Sequence, residues 1–330
     1  GLVGSEMCIR DSNYIIEVLE RIRAVDILHV QHEYGIFGSS EKIIDICVSA
    51  KRRGLAKKIV FTMHTVYHPS SNKVEELGVQ RRLNEIDAVI VHSFLQEYEL
   101  QFQQIDPSKI FRIPHGTLIN PYLGPPRHVL AKKLGVKEDK LRGIVLVVPG
   151  FLRIDKGLDI LLSALTMLGN ERFTIIVAGE MRDRELESLI EDASKKMNII
   201  YLEKYLTIDE ILQIVALADA IVLPYRDPPG LYSVSGILHL SMGGLKPIIG
   251  TRVPRLIELY QYAPRLTVPP NNPTELAKKT RWLIHNYDYA VAYMSTLYGY
   301  AIRTQWLRIC LLYTSPSPRD LSTSRMPSSA

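Results

Sequence analysis

The sequence predicts an α/β chain of two doubly wound, Rossmann-like halves, and two observations carry that expectation. Short apolar runs at residues 25–30, 59–63, 87–91 and 109–113, and again at 143–149, 173–178, 198–202, 220–224 and 247–250, alternate with stretches whose apolar residues recur at helical spacing. Short apolar strands separated by helices form parallel sheets covered on both faces. The second observation is Asn120-Pro-Tyr-Leu-Gly-Pro-Pro-Arg127, a concentration of turn formers standing between the two series. A first domain is therefore expected at 13–119, a linker at 120–142, a second domain at 143–286 and a terminal helix at 287–309. Two such domains on one linker are expected to face each other across a cleft, the usual place for a small ligand.

The ends read differently. Residues 310–320 and 324–330 translate what resembles a transposase-based sequencing adapter, with 321–323 at the place of its index, and residues 2–12 resemble its reverse complement in another frame. Residues 1–12 and 310–330 are accordingly expected to be non-native, the latter as a disordered tail, and both the first domain and the terminal helix to be truncated. Setting the ends aside removes Cys8 and Cys310 and leaves Cys47, so no disulfide framework is expected and a reducing compartment is allowed. Arg10, Arg319 and Arg325 balance Glu6, Asp11 and Asp320, so the formal net charge of +5 belongs to the remainder.

With 46% hydrophobic and 23% charged residues, the chain can bury two ordinary cores. No apolar run reaches the roughly 18–20 residues that span a bilayer. A cytoplasmic protein is expected, its membrane contact at most peripheral and on the inner face. The basic excess is too diffuse for a nucleic-acid partner; the local patch at Lys51, Arg52 and Arg53 with Lys57 and Lys58 reads as a solvated helix end.

The first half ends its strands in polar groups: Gln31-His32-Glu33, His64-Thr65, His92-Ser93 and His115-Gly116. Carboxyl edges of parallel strands face a common crevice, so these side chains could converge on a ligand. At least one of His32 and His64 is expected to line a site, with His64 favoured over His32.

In the second half, Gly150-Phe-Leu-Arg153-Ile-Asp-Lys156-Gly157 is a strand-to-helix turn bearing two cations. Further on, Ser233-Val-Ser235-Gly236 places hydroxyls and a glycine before a short helix, whose first N–H groups lack partners within the helix. A cation pair facing a helix start suits a diphosphate.

Laid out in order, these segments resemble the family 4 glycosyltransferases of the GT-B fold over essentially all of residues 13–309. The carrying segments are Val25-Asp-Ile-Leu-His-Val-Gln-His-Glu-Tyr-Gly-Ile-Phe-Gly38, Phe61-Thr-Met-His-Thr65, Ile113-Pro-His-Gly116, the Gly150 to Gly157 turn, Ala178-Gly-Glu180, Ala218-Asp-Ala-Ile-Val-Leu-Pro224 and residues 233–254. The resemblance implies a retaining transfer of a sugar from a nucleotide-diphosphate donor to a saccharide or lipid-linked acceptor. It implies a donor site formed by Gly150, Arg153, Lys156, Tyr205, Leu206, Ser233, Ser235, Gly236 and Glu258, with Arg153 and Lys156 on the diphosphate and Tyr205 and Leu206 around the base. His64 corresponds to the family's histidine beside the transferred sugar, and His32, Glu33 and His115 fall on the acceptor side. The donor is a co-substrate; no further cofactor is expected. No Asp-x-Asp metal signature is visible, and cations with a helix start can neutralise the leaving diphosphate, so no metal is expected either.

One departure stands out. Where the family commonly carries a pair of glutamates near this helix, Tyr232 and Leu240 occur. Two alternatives stay open on that account, a catalytically inactive sugar-nucleotide-binding protein and a sugar-nucleotide epimerase. The family's terminal helix, with a tryptophan near the position of Trp306, is expected to cross back onto the first domain.

Overall fold

A computed structural model describes residues 13–21 and 24–314. The expected non-native segments at 1–12 and 315–330 lie outside the described residues. The chain divides into two compact units, the first built from residues up to Pro114 together with Pro228–Val234 and the described residues from Leu311 on, the second from His115–Asp227 and Ser235–Cys310.

In the first unit, β1 (Val25–His32), β2 (Ala56–Met63), β4 (Ala88–Val91) and β5 (Ile110–Arg112) form a parallel sheet in the order β1-β2-β4-β5. The helix Lys42–Arg52 presents Ile43, Ile44, Cys47 and Ala50 to it, the i, i+1, i+4 spacing of an apolar helix face. Ile44, Cys47, Ile59, Phe61, Met63 and Leu100 are fully buried in this core. The helix Phe94–Phe102 opens with a capping box between Ser93 and Gln96. Gln96 is itself fully buried, and its amide N–H groups are shared among the carbonyls of Met63 (3.2 Å), His64 (3.1 Å) and Tyr232 (3.4 Å).

In the second unit, β6 (Ile144–Pro149), β7 (Phe173–Gly179), β8 (Ile199–Glu203), β9 (Ala220–Leu223), β11 (Ile248–Thr251) and β12 (Thr267–Val268) form a parallel sheet in the order β12-β11-β9-β6-β7-β8. Every residue of β7 is buried, which is why that strand reads as an unbroken apolar run. β10 (Leu231–Ser233), between β9 and β11 in the sequence, belongs to the first unit and pairs antiparallel with β3 (Thr65–Tyr67) there.

Three boundaries differ from expectation. Residues 115–119 belong to the second unit, and the stretch expected as a linker is part of it: the helix Arg127–Lys133 buries Leu130 and Ala131 in that core. Asn120 fixes it further, donating from Nδ2 to the carbonyl of Leu212 at 2.8 Å. The single terminal helix is three helices, Tyr287–Tyr293, Ser295–Arg303 and Trp306–Thr314. Trp306 lies in the second unit, its indole against Gly116, where an added Cβ would come within 2.2 Å of the ring. The helix also runs through Cys310–Thr314, where a tail was expected; Leu307, Ile309, Leu311 and Leu312 are good helix formers or tolerated there.

Candidate functional sites in the two units

At the carboxyl ends of β6, β7, β9 and β11 the second unit gathers charge. Two glycines allow the strand ends to close up. At Gly179 an added Cβ would sit 1.8 Å from the carbonyl oxygen of Gly150, and at Gly157, with φ +71°, 1.9 Å from that of Pro224. The turn that carries Arg153 and Lys156 is thereby pressed against the end of β9.

The two expected diphosphate ligands differ in state. Arg153 is exposed and donates to both oxygens of Asp155, from Nε at 2.9 Å and from Nη2 at 2.8 Å. Lys156 is half-buried and its ammonium makes no hydrogen bond or ion pair within the described residues; it lies 3.8 Å from the ring centroid of Tyr225, itself only 1% exposed. A cation on a desolvated ring gains about 2 kcal/mol. Burial lowers the Lys156 pKa, partly opposed by the Tyr225 and Asp155 charges.

Tyr225 also ties this cation to the expected helix start. Its hydroxyl accepts from Ser235 Oγ at 3.4 Å, and Ser235 caps the helix Gly236–Ser241 by accepting from the Leu238 amide at 3.3 Å. Lys156, Tyr225, Ser235 and Gly236 are thus one contiguous group. Gly150 joins it through packing: its own amide donates to the Ala178 carbonyl at 2.9 Å, and a Cβ on it would meet Ile237 at 3.0 Å.

Behind the helix lies a second group. His239 is fully buried, donates from Nδ1 to the Ser235 carbonyl at 2.9 Å, and points Nε2 at Glu258 Oε1 across 3.8 Å. Burial pushes the Glu258 carboxyl up to about 7 and holds His239 down to about 4. The His115 ring stands 4.5 Å from that of His239 and 5.5 Å from Trp306. His115, expected on the acceptor side of the first domain, is therefore a second-unit residue.

Four expectations need correction. Leu206 is 8% exposed and packs in the core, so only Tyr205, 65% exposed and 6.0 Å from the Phe151 ring, can meet a ligand there. Ser233 is a ladder residue of β10 opposite Thr65 and so is not grouped with Ser235. Tyr232 likewise belongs to β10, opposite Val66, while Leu240 packs against the second core. His32 is fully buried among Tyr34, Phe37 and Phe61, its pKa held down to about 4 by burial first and His64 second. The period of two along β1 sends His32 to the core with Val30 and turns His29 and Gln31 to the other face.

That other face forms the first unit's polar cluster. Gln31 bridges two histidines, its Oε1 3.0 Å from His64 Nε2 and its Nε2 3.1 Å from His29 Nε2, while His29 also meets Thr62 Oγ1 at 2.8 Å. His64 lies 5.1 Å from the His92 ring. Burial lowers its pKa, with Glu33 opposing, which favours the neutral imidazole. Glu33 accepts from Thr65 Oγ1 at 3.0 Å. The sequence groups Gln31 with His32 and Glu33 at the end of β1, and only the strand period separates it from His32; in the second unit Tyr225, Asp227, Arg255 and His239 are not singled out by the sequence, Tyr225 lying one residue beyond the apolar run of β9.

A cavity of about 660 Å³ lies elsewhere in the second unit, lined by Arg142, Phe173, Lys196 and Asn198 at the amino edges of its strands, away from this chemistry.

Residues 143–286 match the family model described as Glycosyl transferases group 1. No curated protein matches the chain. Among solved structures, a glycosyltransferase from Rickettsia africae is 18% identical with a TM-score of 0.70, covering 98% of this chain and 84% of that one. HepE of Anabaena, solved with UDP and glucose, is 17% identical with a TM-score of 0.75 over 94% of this chain and 81% of that one. Sucrose-phosphate synthase from Thermosynechococcus elongatus is 16% identical with a TM-score of 0.71 over 95% and 79%. The fold class is thus α/β with parallel sheets, shared with glycosyltransferases of the GT-B type, and the region that carries the charged cluster matches glycosyl transferases group 1.

Proposed function

We propose that this chain is a retaining, metal-independent glycosyltransferase that moves a sugar from a nucleotide-diphosphate donor to a saccharide or lipid-linked acceptor. The observation that carries the reading is Lys156, a half-buried ammonium with no anionic partner, joined through Tyr225 to the capped start of the helix Gly236–Ser241. A desolvated cation is stabilised by an anion that arrives with the ligand. The donor diphosphate supplies one, with the exposed Arg153 as the second ligand and the exposed rings of Tyr205 and Phe151 to receive the base. The group 1 match over the same residues, and the UDP named with HepE, favour a nucleotide donor.

In this reading the bond from the anomeric carbon to the phosphate oxygen breaks as that carbon bonds the acceptor oxygen, and the acceptor proton passes to the leaving phosphate oxygen on the same face. The cations stabilise the charge developing on the diphosphate. His64, neutral and held by Gln31, is a hydrogen-bonding residue for sugar or acceptor hydroxyl; it need not be a base. A nucleotide-sugar donor fits a cytoplasmic protein, with peripheral contact at a membrane if the acceptor is lipid-linked.

Titration calorimetry with UDP- and GDP-sugars, followed by donor consumption with an acceptor panel, tests this. Binding that falls about tenfold or more in Lys156→Met, with turnover insensitive to a chelator, is expected. Turnover lost to the chelator and restored by manganese removes the metal-independent part, and near-normal turnover in His64→Ala removes His64. Tyr232 and Leu240 in place of carboxylates favour a second reading, a binding protein without turnover; donor binding with no consumption under any acceptor selects it.

A further inference from the structure

Two carboxylates interact electrostatically with the Lys156 ammonium without pairing with it. Asp155 is its chain neighbour, and Asp155 and Asp227 both act on the same cluster electrostatically. Yet all four of their oxygens are already occupied. Asp155 Oδ1 accepts from Arg153 Nε, and Oδ2 accepts from Arg153 Nη2 at 2.8 Å and from Arg255 Nη1 at 2.7 Å. Asp227 Oδ1 accepts from Arg255 Nε, and Oδ2 from the Arg255 amide at 3.0 Å. Arg255 is 7% exposed, and the Asp227 side chain 2%.

Arg255 is the common element. Its backbone carbonyl accepts from the Ser235 amide at 3.1 Å, and its guanidinium carbon lies 5.1 Å from the Tyr225 ring that carries Lys156. One planar fork with its donors directed at two carboxylates suits such a task better than an ammonium. We infer that Arg255 is a positioning residue that sequesters Asp155 and Asp227, so that Lys156 rests on Tyr225 and stays available to an incoming diphosphate. The inference rests on the donor-site reading above.

Without Arg255, Asp227 would be a buried carboxylate without its ion-pair partner, and Lys156 is the other cation that acts on it. Pairing with Asp227 would draw the ammonium off Tyr225 and oppose diphosphate binding.

The test uses the whole chain and inorganic pyrophosphate as the probe, titrated by calorimetry at low salt. Arg255→Met is expected to weaken pyrophosphate binding about fivefold. Arg255→Met/Asp227→Asn, which removes the released carboxylate, is expected to recover to within about twofold of the unmodified protein. Arg255→Met/Glu180→Gln, which has the same net charge change but keeps the Asp227 carboxyl, is expected to stay weak. A merely structural role for Arg255 predicts no recovery in the first double variant, and long-range charge alone predicts equal recovery in both; either outcome overturns the inference, as does unchanged binding in Arg255→Met. If Arg255→Met does not fold, Arg255→Lys, which can meet only one of the two carboxylates, is read with the same Asp227→Asn rescue. Loss of binding in Lys156→Met separates the two levels: if Lys156→Met binds normally the donor-site reading fails, whereas if it loses binding and the Arg255 series does not behave as stated, only the inference fails.

Discussion

At the scale of single residues, the buried titrating groups give opposite responses to acid. His32 and His239 have folded pKa values near 4, below the ordinary 6.5, so the unfolded chain takes up protons first as pH falls. Their contribution to stability declines from about pH 6.5 to about 4, by up to about 1.4 kcal/mol per pH unit for each. Glu258 is raised to about 7 from 4.5, so the folded state binds its proton first, and stability rises on acidification between those values. The carboxyl therefore offsets one of the two histidines. Glu258→Gln removes that offset: denaturant unfolding followed from pH 8 to 4.5 should show a variant more stable than the parent at pH 8 and losing stability more steeply below pH 6.5. Parallel pH profiles for the two proteins would show that Glu258 titrates normally. Histidines at strand ends were visible in the sequence, but only alternation along β1, fixed by its pairing with β2, separates His32 in the core from Gln31 beside His64.

At the scale of elements, Gln96 is the residue that joins three pieces of the first unit. It closes the capping box with Ser93, accepts from the amides of His92 and Ser93 at 3.0 and 3.1 Å, and donates to carbonyls after β2 and on β10. The Ser-x-x-Gln spacing suits a capping box, but the second use of Gln96 has no local signature, because β10 arrives from far along the chain. Gln96→Leu keeps the volume and leaves several buried backbone groups unpaired, each costing about 1–3 kcal/mol. The expected loss is on the order of 3 kcal/mol in the stability of the first unit, read as a lower urea midpoint; a change within about 0.5 kcal/mol would mean that water replaces the amide.

At the scale of the whole molecule, the chain carries two separate apolar cores, and the one around β6 to β12 holds many more buried side chains than the one around β1 to β5. Unfolding is therefore expected in two steps, the first unit yielding at lower denaturant. Both tryptophans, Trp282 and Trp306, lie in the second unit. Far-ultraviolet circular dichroism should begin to fall before tryptophan fluorescence changes, and coincident curves would show that the two units unfold as one.

What the sequence determined by itself is what local spacing encodes. Apolar runs and helical periods located the strands of both large sheets to within a few residues, apart from the two-residue β12, and the order of glycines, cations and hydroxyls located the turn at Gly150 to Gly157 and the helix after Ser235. These are short-range properties, written into neighbouring residues by steric periodicity. The tertiary structure alone decided that β10 joins the first unit, that Trp306 packs on Gly116, and that Arg255 bridges Asp155 and Asp227 while Lys156 rests on Tyr225. Each is a pairing between residues distant in the chain, and nothing near them in the sequence records which partner a strand edge or a buried charge will meet.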